Sequence, residues 1–301
     1  MRVGLALDLG SDPAAGPVAR QVRTAEPLLR AAEAAGFDSV WLGESYHPEP
    51  EPFHLPSPLL VLAHLAARTT LGLGTGVLLA RAHHPDRLAV EAALLDQLSD
   101  GRLTLGVGLG GDALRGALGG PDLPGGRVLD GLLVRLRELW RRPAVVPGPH
   151  RPGGPPVLVG GRGQAAIRRA VELGDGWYGA TNHSDRLVAA QAAAYRAAGG
   201  AGDVAVNRLC IVGPDAGPAD RYLDRVVGYY RSRGAWDIGR ADGDPEPLLV
   251  GGVDAVRDGL ERLRDAGVTQ VQLRVAPLGV PGEVALRTVD AIGEHVLPAF
   301  A

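Results

Sequence analysis

The sequence predicts an α/β protein in which residues 1–301 form one domain, a single (β/α)8 barrel with loop insertions at its C-terminal face. Short apolar runs alternate with segments of helical periodicity about eight times along the chain. Most of these runs are continuous rather than alternating, as in parallel strands that are covered on both faces. A doubly wound open sheet is the alternative fold with the same alternation.

The strand-like runs are recognised by their length and by the glycine, proline or aspartate residues that bound them. In chain order they cover residues 3–9, 39–42, 71–77, 103–107, 156–159, 176–179, 204–212 and 270–275. The third and fourth runs contain glycines where a buried strand normally carries bulky side chains. Such glycines often mark a bulge or the close approach of a ligand, so we expect a flat cofactor here.

Helical segments fill the intervals between these runs. They cover residues 25–35, 58–67, 86–98, 127–140, 164–173, 184–198, 219–233, 253–266 and 282–296. The third helix is well bounded, because Pro85 stands at its start and Gly101 follows its end. Three other helices are followed by a glycine that is predicted to take the left-handed conformation: Gly36, Gly174 and Gly267.

Three segments rich in Gly, Pro and Asp interrupt this pattern, at residues 110–126, 141–155 and 232–247. Barrel enzymes build substrate pockets and lids from loops at the C-terminal ends of strands. The first and last segments are therefore expected to be either pocket loops or plain exposed connectors. No linker separates two cores, which supports the single-domain prediction.

Composition excludes several classes of function. The net charge is −3 and no basic run occurs, so neither nucleic acid nor a membrane surface is an expected partner. The chain contains no lysine, which excludes Schiff-base aldolase chemistry. Cys210, the only cysteine, lies in an apolar run and is predicted to be a buried structural thiol. The short apolar start and the absence of a membrane-length segment predict a cytoplasmic location.

The clearest binding motif is Gly160-Gly161-Arg162-Gly163-Gln164, which follows a strand and opens a helix. Backbone N–H groups at a helix N-terminus bind anions, and glycines let a phosphate come close. Arg162 is expected either to add a bidentate contact to that phosphate or to lie in solvent.

Residues at the end of the second strand are the candidates for catalysis, because barrel enzymes place reactive groups at the C-terminal ends of strands. Glu44, Ser45, Tyr46 and His47 stand there. An imidazole exchanges protons readily near neutral pH, so His47 is a candidate acid or base, and the Tyr46 hydroxyl could orient a substrate. The alternative is that Tyr46 and His47 lie on a loop surface.

Two further patterns do not support the sites that they superficially match. Residues 106–111 have the G-x-G-x-x-G spacing, but no long helix follows, so Gly106 and Gly108 are expected to give backbone space beside the cofactor. His83 and His84 are adjacent, and no carboxylate or cysteine stands at metal-ligand spacing. No metal site is predicted.

Five segments in order carry a family pattern: GFDSVWLGES (36–45), LGTGVLLARAHHP (73–85), LLDQLSDGRLTLGVG (94–108), PPVLVGGRGQAAIRRAVELGDGW (155–177) and GGVDAVRDGLERLRDAGV (251–268). Together they resemble the bacterial-luciferase-like superfamily of flavin- and deazaflavin-dependent oxidoreductases. The resemblance covers nearly the whole chain and implies the (β/α)8 barrel that the strand count predicts independently.

The resemblance also implies positions for the cofactor. The third strand bulges beneath the flavin ring, commonly through a non-prolyl cis peptide bond, and the matching bond is Gly76–Val77. The phosphate is placed at residues 160–164, and Glu44 lies beside the cofactor. Many members carry a histidine at the position of Ser45 and an arginine near Leu109, so those contacts do not transfer to this chain.

The function implied is a luciferase-like monooxygenase in which reduced FMN, supplied by a separate reductase, and O2 oxygenate a small organic substrate. One alternative on the same fold is hydride transfer with the deazaflavin coenzyme F420, supplied by a deazaflavin reductase. A second is a cofactor-binding or structural barrel without catalysis, because fold alone does not establish chemistry. A homodimer through the helices around 58–98 is also implied.

Overall fold

A computed structural model describes residues 1–9, 16–46, 53–55, 57–115, 122–141, 148–213, 224, 227–228, 231–232, 239–245, 247–277 and 280–300. The chain divides into two compact units. Unit 1 comprises Met1–Val40, Gly179–Ala197 and Asp203–Ala301, and unit 2 comprises Trp41–Tyr178 and Ala198–Gly202. His47 and most of the helix predicted at 219–233 lie outside the described residues. The single-domain organisation stays a prediction.

The elements alternate as the sequence predicts. The strands are β1 (Arg2–Ala6), β2 (Ser39–Leu42), β3 (Ser45–Tyr46), β4 (Phe53–His54), β5 (Gly72–Leu79), β6 (Leu103–Gly108), β7 (Val157–Gly160), β8 (Gly176–Gly179), β9 (Asp203–Val212), β10 (Leu248–Gly251) and β11 (Gln270–Arg274). The helices are α1 (Val18–Ala34), α2 (Pro58–Ala66), α3 (Pro85–Leu98), α4 (Gly125–Arg141), α5 (Gln164–Glu172), α6 (Asp185–Ala197), α7 (Val253–Asp265) and α8 (Gly282–His295).

In unit 1, β11 pairs in parallel with β1 on one side and with β9 on the other, and β9 also pairs with β10. Val3 lies opposite Val271, and both side chains are buried. α1 packs against α8, and α7 against β10. The continuous apolar runs of these strands are therefore covered by helices, as the sequence indicates.

In unit 2, β5, β6, β7 and β8 follow one another as parallel neighbours. α2, α3 and α4 pack in sequence, so the helices lie in the same order as the strands that they connect. The side chains of Leu73, Leu105 and Val159 are at most 1% exposed and form part of this core. The short strands β3 and β4 pair antiparallel as a separate ribbon.

Some boundaries differ from the sequence prediction. Helix α1 begins at Val18, whereas the sequence predicts a start at residue 25. Residues 18–24 are mostly exposed and show no apolar periodicity, so the pattern does not predict the first turns of the helix. The sequence pattern does not predict strand β10, because its four residues form a very short apolar run between Pro247 and Gly252. Each difference arises where local apolar patterning is weak.

The predicted helix-ending glycines behave in two ways. Gly36 and Gly267 adopt the left-handed conformation, with φ of +88° and +90°. Gly174 does not, so that prediction was wrong. A Cβ on Gly174 would lie 2.8 Å from Cγ2 of Val159, so the glycine is needed there for the close approach of chain and strand.

Candidate functional site

The C-terminal half of β5 forms the centre of the site. The peptide bond between Gly76 and Val77 is cis, as the resemblance implies. The register of β5 against β6 shifts between Thr75 and Leu78, which is a bulge at this bond. The hydroxyl of Thr75 donates a hydrogen bond of 2.9 Å to the carbonyl oxygen of Gly106, so the bulged segment is tied to β6.

Glycines around the bulge make room for β5 itself. A Cβ atom on Gly43 would lie 2.6 Å from the carbonyl oxygen of Gly76, and one on Gly106 would lie 2.2 Å from that of Thr75. A Cβ on Gly108 would lie 2.9 Å from Cγ2 of Val77. In the direction of a Cβ, Gly106 and Gly108 thus face Thr75 and Val77, and their lack of a side chain makes room for the bulge.

Two buried aromatic side chains pack behind the bulge. A Cβ on Gly74 would lie 2.2 Å from the ring of Trp41, and one on Gly76 would lie 2.4 Å from the hydroxyl oxygen of Tyr178. The two rings contact each other with centroids 6.0 Å apart and planes tilted by 42°. The position of the Gly76–Val77 segment is thus determined by tertiary packing on several sides.

Glu44 and His83 form a polar pair next to the bulge. The side chain of Glu44 is fully buried, and its Oε1 lies 2.7 Å from Nε2 of His83, which is 14% exposed. The same oxygen accepts a hydrogen bond from the backbone N–H of Leu79, and the N–H of Glu44 donates to the carbonyl of Val77. Glu44 therefore connects the imidazole to the bulged strand.

Two of the other catalytic candidates, Ser45 and Tyr46, lie in the antiparallel ribbon. Ser45 pairs with His54, and Tyr46 pairs with Phe53. Ser45 and Tyr46 are both half-buried. This ribbon replaces the simple loop that the sequence suggests after β2, and it directly follows Glu44.

The loop from Gly160 to Gln164 has the geometry of an anion site. Gly160 ends β7, and Gly161 and Gly163 have φ of +141° and +81°, conformations that side chains rarely allow. Gly163 is the N-cap of α5, so the first N–H groups of that helix point out of its end. Arg162 and Gln164 are exposed beside them.

The indole of Trp177 holds this loop in place. Trp177 is fully buried in β8, and its Nε1 donates a hydrogen bond of 2.8 Å to the carbonyl oxygen of Gly161. The buried ring is therefore part of the core and also orients the loop that presents the helix N-terminus.

A second cationic region lies after β5, where Arg81 enters the 3₁₀ turn Ala80–Ala82. It lines a cavity of about 460 Å³. The other lining residues are Ala80, His83, His84, Pro85, Asp86, Leu114, Leu123, Arg127, Val128, Gly131, Leu132 and Arg135. Arg135 donates to both carboxylate oxygens of Asp86, and these hydrogen bonds lower the pKa of that carboxyl below its ordinary value.

Three buried polar side-chain atoms at the site show whether its residues suit a cofactor. Oε2 of Glu44 and Nε and Nη1 of Arg81 have no hydrogen-bond partner among the described residues. Buried polar groups in proteins are normally satisfied, so these atoms fit a ligand that supplies a donor and an anionic acceptor. The set of residues in unit 2 fits a phosphate-bearing cofactor.

Among the described residues, no group of three or more His, Cys, Asp or Glu side chains converges as a metal site would require. Within the same ranges, no helix has the length and apolar character needed to cross a bilayer.

Sequence reasoning missed His83 and Arg81 as site residues. His83 was considered only with its neighbour His84 for a metal, whereas its partner Glu44 stands 39 positions earlier. Arg81 was not singled out, because one arginine in an apolar segment has no distinctive pattern. The bulge in β5 and the 3₁₀ turn after it bring these residues to the site. No local sequence pattern indicates their contacts with residues far away in the chain.

Comparison with known proteins relates the chain to one family. A family model described as luciferase-like monooxygenase matches residues 1–270. The oxygenase component of a flavin-dependent trigonelline monooxygenase from Acinetobacter baylyi is 29% identical over 49% of this chain and 45% of its own length. An F420-dependent glucose-6-phosphate dehydrogenase from Beutenbergia cavernae is 34% identical over 48% of this chain and 49% of its own. The chain thus spans about half the length of these curated relatives.

Solved structures show the same fold over the full length. Monooxygenase RslO1 from Streptomyces bottropensis has a TM-score of 0.82 at 24% identity and covers 100% of both chains. The oxygenating constituent of 3,6-diketocamphane monooxygenase from Pseudomonas putida, solved with FMN, has a TM-score of 0.78 at 17% identity over 99% of this chain and 98% of its own. The predicted fold class, α/β of the (β/α)8 type, is confirmed.

Proposed function

Because the chain belongs to the luciferase-like monooxygenase family, we propose that it uses reduced FMN and O2 to oxygenate a small organic substrate. The observation that carries this proposal is the bulge of β5 between Thr75 and Leu78, in the same unit as the glycine loop that opens α5. The relatives that are flavin-dependent, or solved with FMN, support it.

Different residues of unit 2 are proposed to bind different parts of the cofactor. We assign the bulge at Gly76 and Val77 to support of the flavin ring, with Gly106 and Gly108 behind it, and residues 160–164 to its phosphate. When bound, reduced FMN supplies the electrons and the atom that reacts with O2. The chain contributes position, a fixed electrostatic environment and exclusion of water.

We assign proton exchange at this site to His83. The buried Glu44 carboxylate contacts Nε2 and so fixes the orientation of the ring, while the imidazole keeps a small exposed area. Carboxylates orient imidazoles in this way in many active sites. Ser45 and Tyr46, next to Glu44, are assigned to hydrogen bonds with the substrate.

The second candidate function is hydride transfer with coenzyme F420. It is favoured by the similarity to an F420-dependent dehydrogenase, which covers about the same share of the chain as the flavin-dependent relative. The cavity lined by Arg81 and Arg127 would also suit an acidic cofactor tail. The same bulge would then carry the deazaflavin.

The proposed monooxygenase works with other components. The trigonelline enzyme is named as an oxygenase component, and by analogy reduced cofactor reaches this chain from a separate reductase. We also propose a cytoplasmic location, where reduced cofactor could diffuse from the reductase to this chain. We also assign a homodimer interface to α2 and α3, which expose the apolar side chains of Leu60, Leu94 and Leu98.

A titration of the purified protein with FMN and with F420, each oxidised and each reduced under anaerobic conditions, tests the proposal. We expect selective binding of reduced FMN, followed by its reoxidation when O2 is admitted. Selective binding of F420 would favour the hydride-transfer function. Binding of neither cofactor would contradict both and leave a barrel without catalysis.

A further inference from the structure

Arg81 is a buried cation, and most of its side-chain donors have no acceptor among the described residues. Only 4% of its side chain is exposed, and Nη2 lies 3.3 Å from Oδ1 of Asp112, whose own side chain is 95% exposed. Nε and Nη1 are buried and find no acceptor among the described residues. A guanidinium stays charged and offers five N–H donors, so burial without acceptors is unfavourable unless an anion completes the set.

The guanidinium lies at the start of α4. A Cβ on Gly125, the first residue of that helix, would lie 3.0 Å from Nη2 of Arg81 and 2.3 Å from Cδ2 of Leu109. α4 is 17 residues long, and its first N–H groups carry the positive end of the helix dipole. Arg81 and the helix terminus thus present positive charge at one place, beside the end of β6.

The anion loop begins at the same end of β6. A Cβ on Gly160 would lie 3.6 Å from Cα of Gly108, the residue before Leu109. A Cβ on Gly126 would lie 2.5 Å from Nη2 of Arg169, which belongs to the helix that the loop opens. The guanidinium groups of Arg81 and Arg169 therefore both lie close to the first two residues of α4.

We propose that Arg81 binds the phosphate of the cofactor, through the donors Nε and Nη1. This inference rests on the proposed function and names a ligand-binding residue that lies outside the glycine loop. A phosphate offers several anionic oxygens, which matches the two guanidinium donors that lack an acceptor among the described residues, together with N–H groups of a helix terminus. The cavity of about 460 Å³ beside Arg81 gives the group access.

The direct test compares FMN with riboflavin, which lacks the phosphate. Affinities of both reduced flavins are measured anaerobically by calorimetry for the wild type, Arg81→Met and Arg135→Met. We expect Arg81→Met to weaken FMN binding about 10- to 100-fold and to leave riboflavin binding within about twofold. Arg135→Met is the matched control, because Arg135 lines the same cavity but is paired with Asp86 and Glu138. Equal losses for both flavins, or no loss, would overturn the proposal.

A second measurement separates this inference from the proposed function. The Tm of each variant is recorded in inorganic phosphate and in chloride at equal ionic strength. We expect phosphate to raise the Tm of the wild type and of Arg135→Met but not that of Arg81→Met. If no flavin binds the wild type, the proposed function fails, and the phosphate shift still tests the anion site. Identical phosphate shifts in all three proteins would overturn the assignment of Arg81.

The substitution itself should not unfold the protein. Methionine has nearly the length of arginine, and it removes a buried charge that lacks acceptors, so the unliganded variant is expected to be as stable as the wild type or more so. A phosphate shift that depends on Arg81, together with equal affinities of the wild type for FMN and riboflavin, would assign the site to a different anion and overturn the cofactor assignment.

Discussion

A fully buried carboxylate and a partly buried imidazole meet at Glu44 and His83, 2.7 Å apart. Glutamate and histidine are both common residues, and the contact between these two depends on the 3₁₀ turn after β5, which positions His83. Cys210 is the contrasting case, since its burial in an apolar strand could be read from the sequence. It is buried and unpaired, and burial raises the pKa of its thiol far above the ordinary range. The prediction that this thiol is buried is confirmed.

At the residue scale, His83→Gln tests the assigned proton carrier. We expect the reoxidation of bound reduced flavin by O2 to slow about tenfold or more and to lose its dependence on pH, because glutamine cannot exchange a proton. Stopped-flow absorbance at several pH values measures this. The matched control is His84→Gln, since His84 is exposed and makes no capping bond. A His83→Gln protein with the pH profile of the wild type would contradict the assignment.

The loop between β7 and α5 shows how an element supplies function. Its glycines adopt conformations that other residues rarely take, it leads into the N-terminus of α5, and the indole of Trp177 fixes its position. A substitution at Gly161 would disturb the backbone, where φ is +141°, as well as the charge. Arg162 is a cleaner probe of the element because it is exposed and needs no special conformation.

At the element scale, Arg162→Glu is expected to weaken binding of FMN about tenfold, because a carboxylate at the N-terminus of α5 repels the phosphate. Arg162→Gln should have a smaller effect, and riboflavin should bind all three proteins alike. Fluorescence titration measures the affinities. Unchanged FMN affinity in a folded Arg162→Glu protein would remove the side chain of residue 162 from the phosphate site.

Helices α2 and α3 of unit 2 expose apolar side chains that a second copy of the chain could cover. Val90, Leu94 and Leu98 recur every fourth residue on one face of α3 and are 45%, 48% and 57% exposed, and Leu60 of α2 is 71% exposed. Such a stripe is long for a helix that faces only water. A second copy of the chain would cover it with the same residues in an isologous interface.

At the scale of the molecule, Leu94→Glu combined with Leu98→Glu is expected to convert a dimer to a monomer, since charges would be buried without partners. Light scattering during size-exclusion chromatography gives the mass. Val134→Glu is the control, because Val134 is an apolar residue of similar exposure, 42%, on α4 rather than on α2 or α3. A monomeric wild type, or a double variant that stays dimeric, would contradict the interface.

The sequence alone determined the fold class, the order of the main strands and helices and the glycine loop at 160–164, and the family resemblance implied the cis bond at Gly76–Val77. These features are local or belong to a family pattern: apolar periodicity, glycine placement and a strand that opens a helix. Only the tertiary structure decided that Gly106 and Gly108 pack against β5, that Glu44 holds His83, and that Arg81 lies at the start of α4. Such contacts join residues tens of positions apart, and a buried polar group has no periodicity that would reveal its partner.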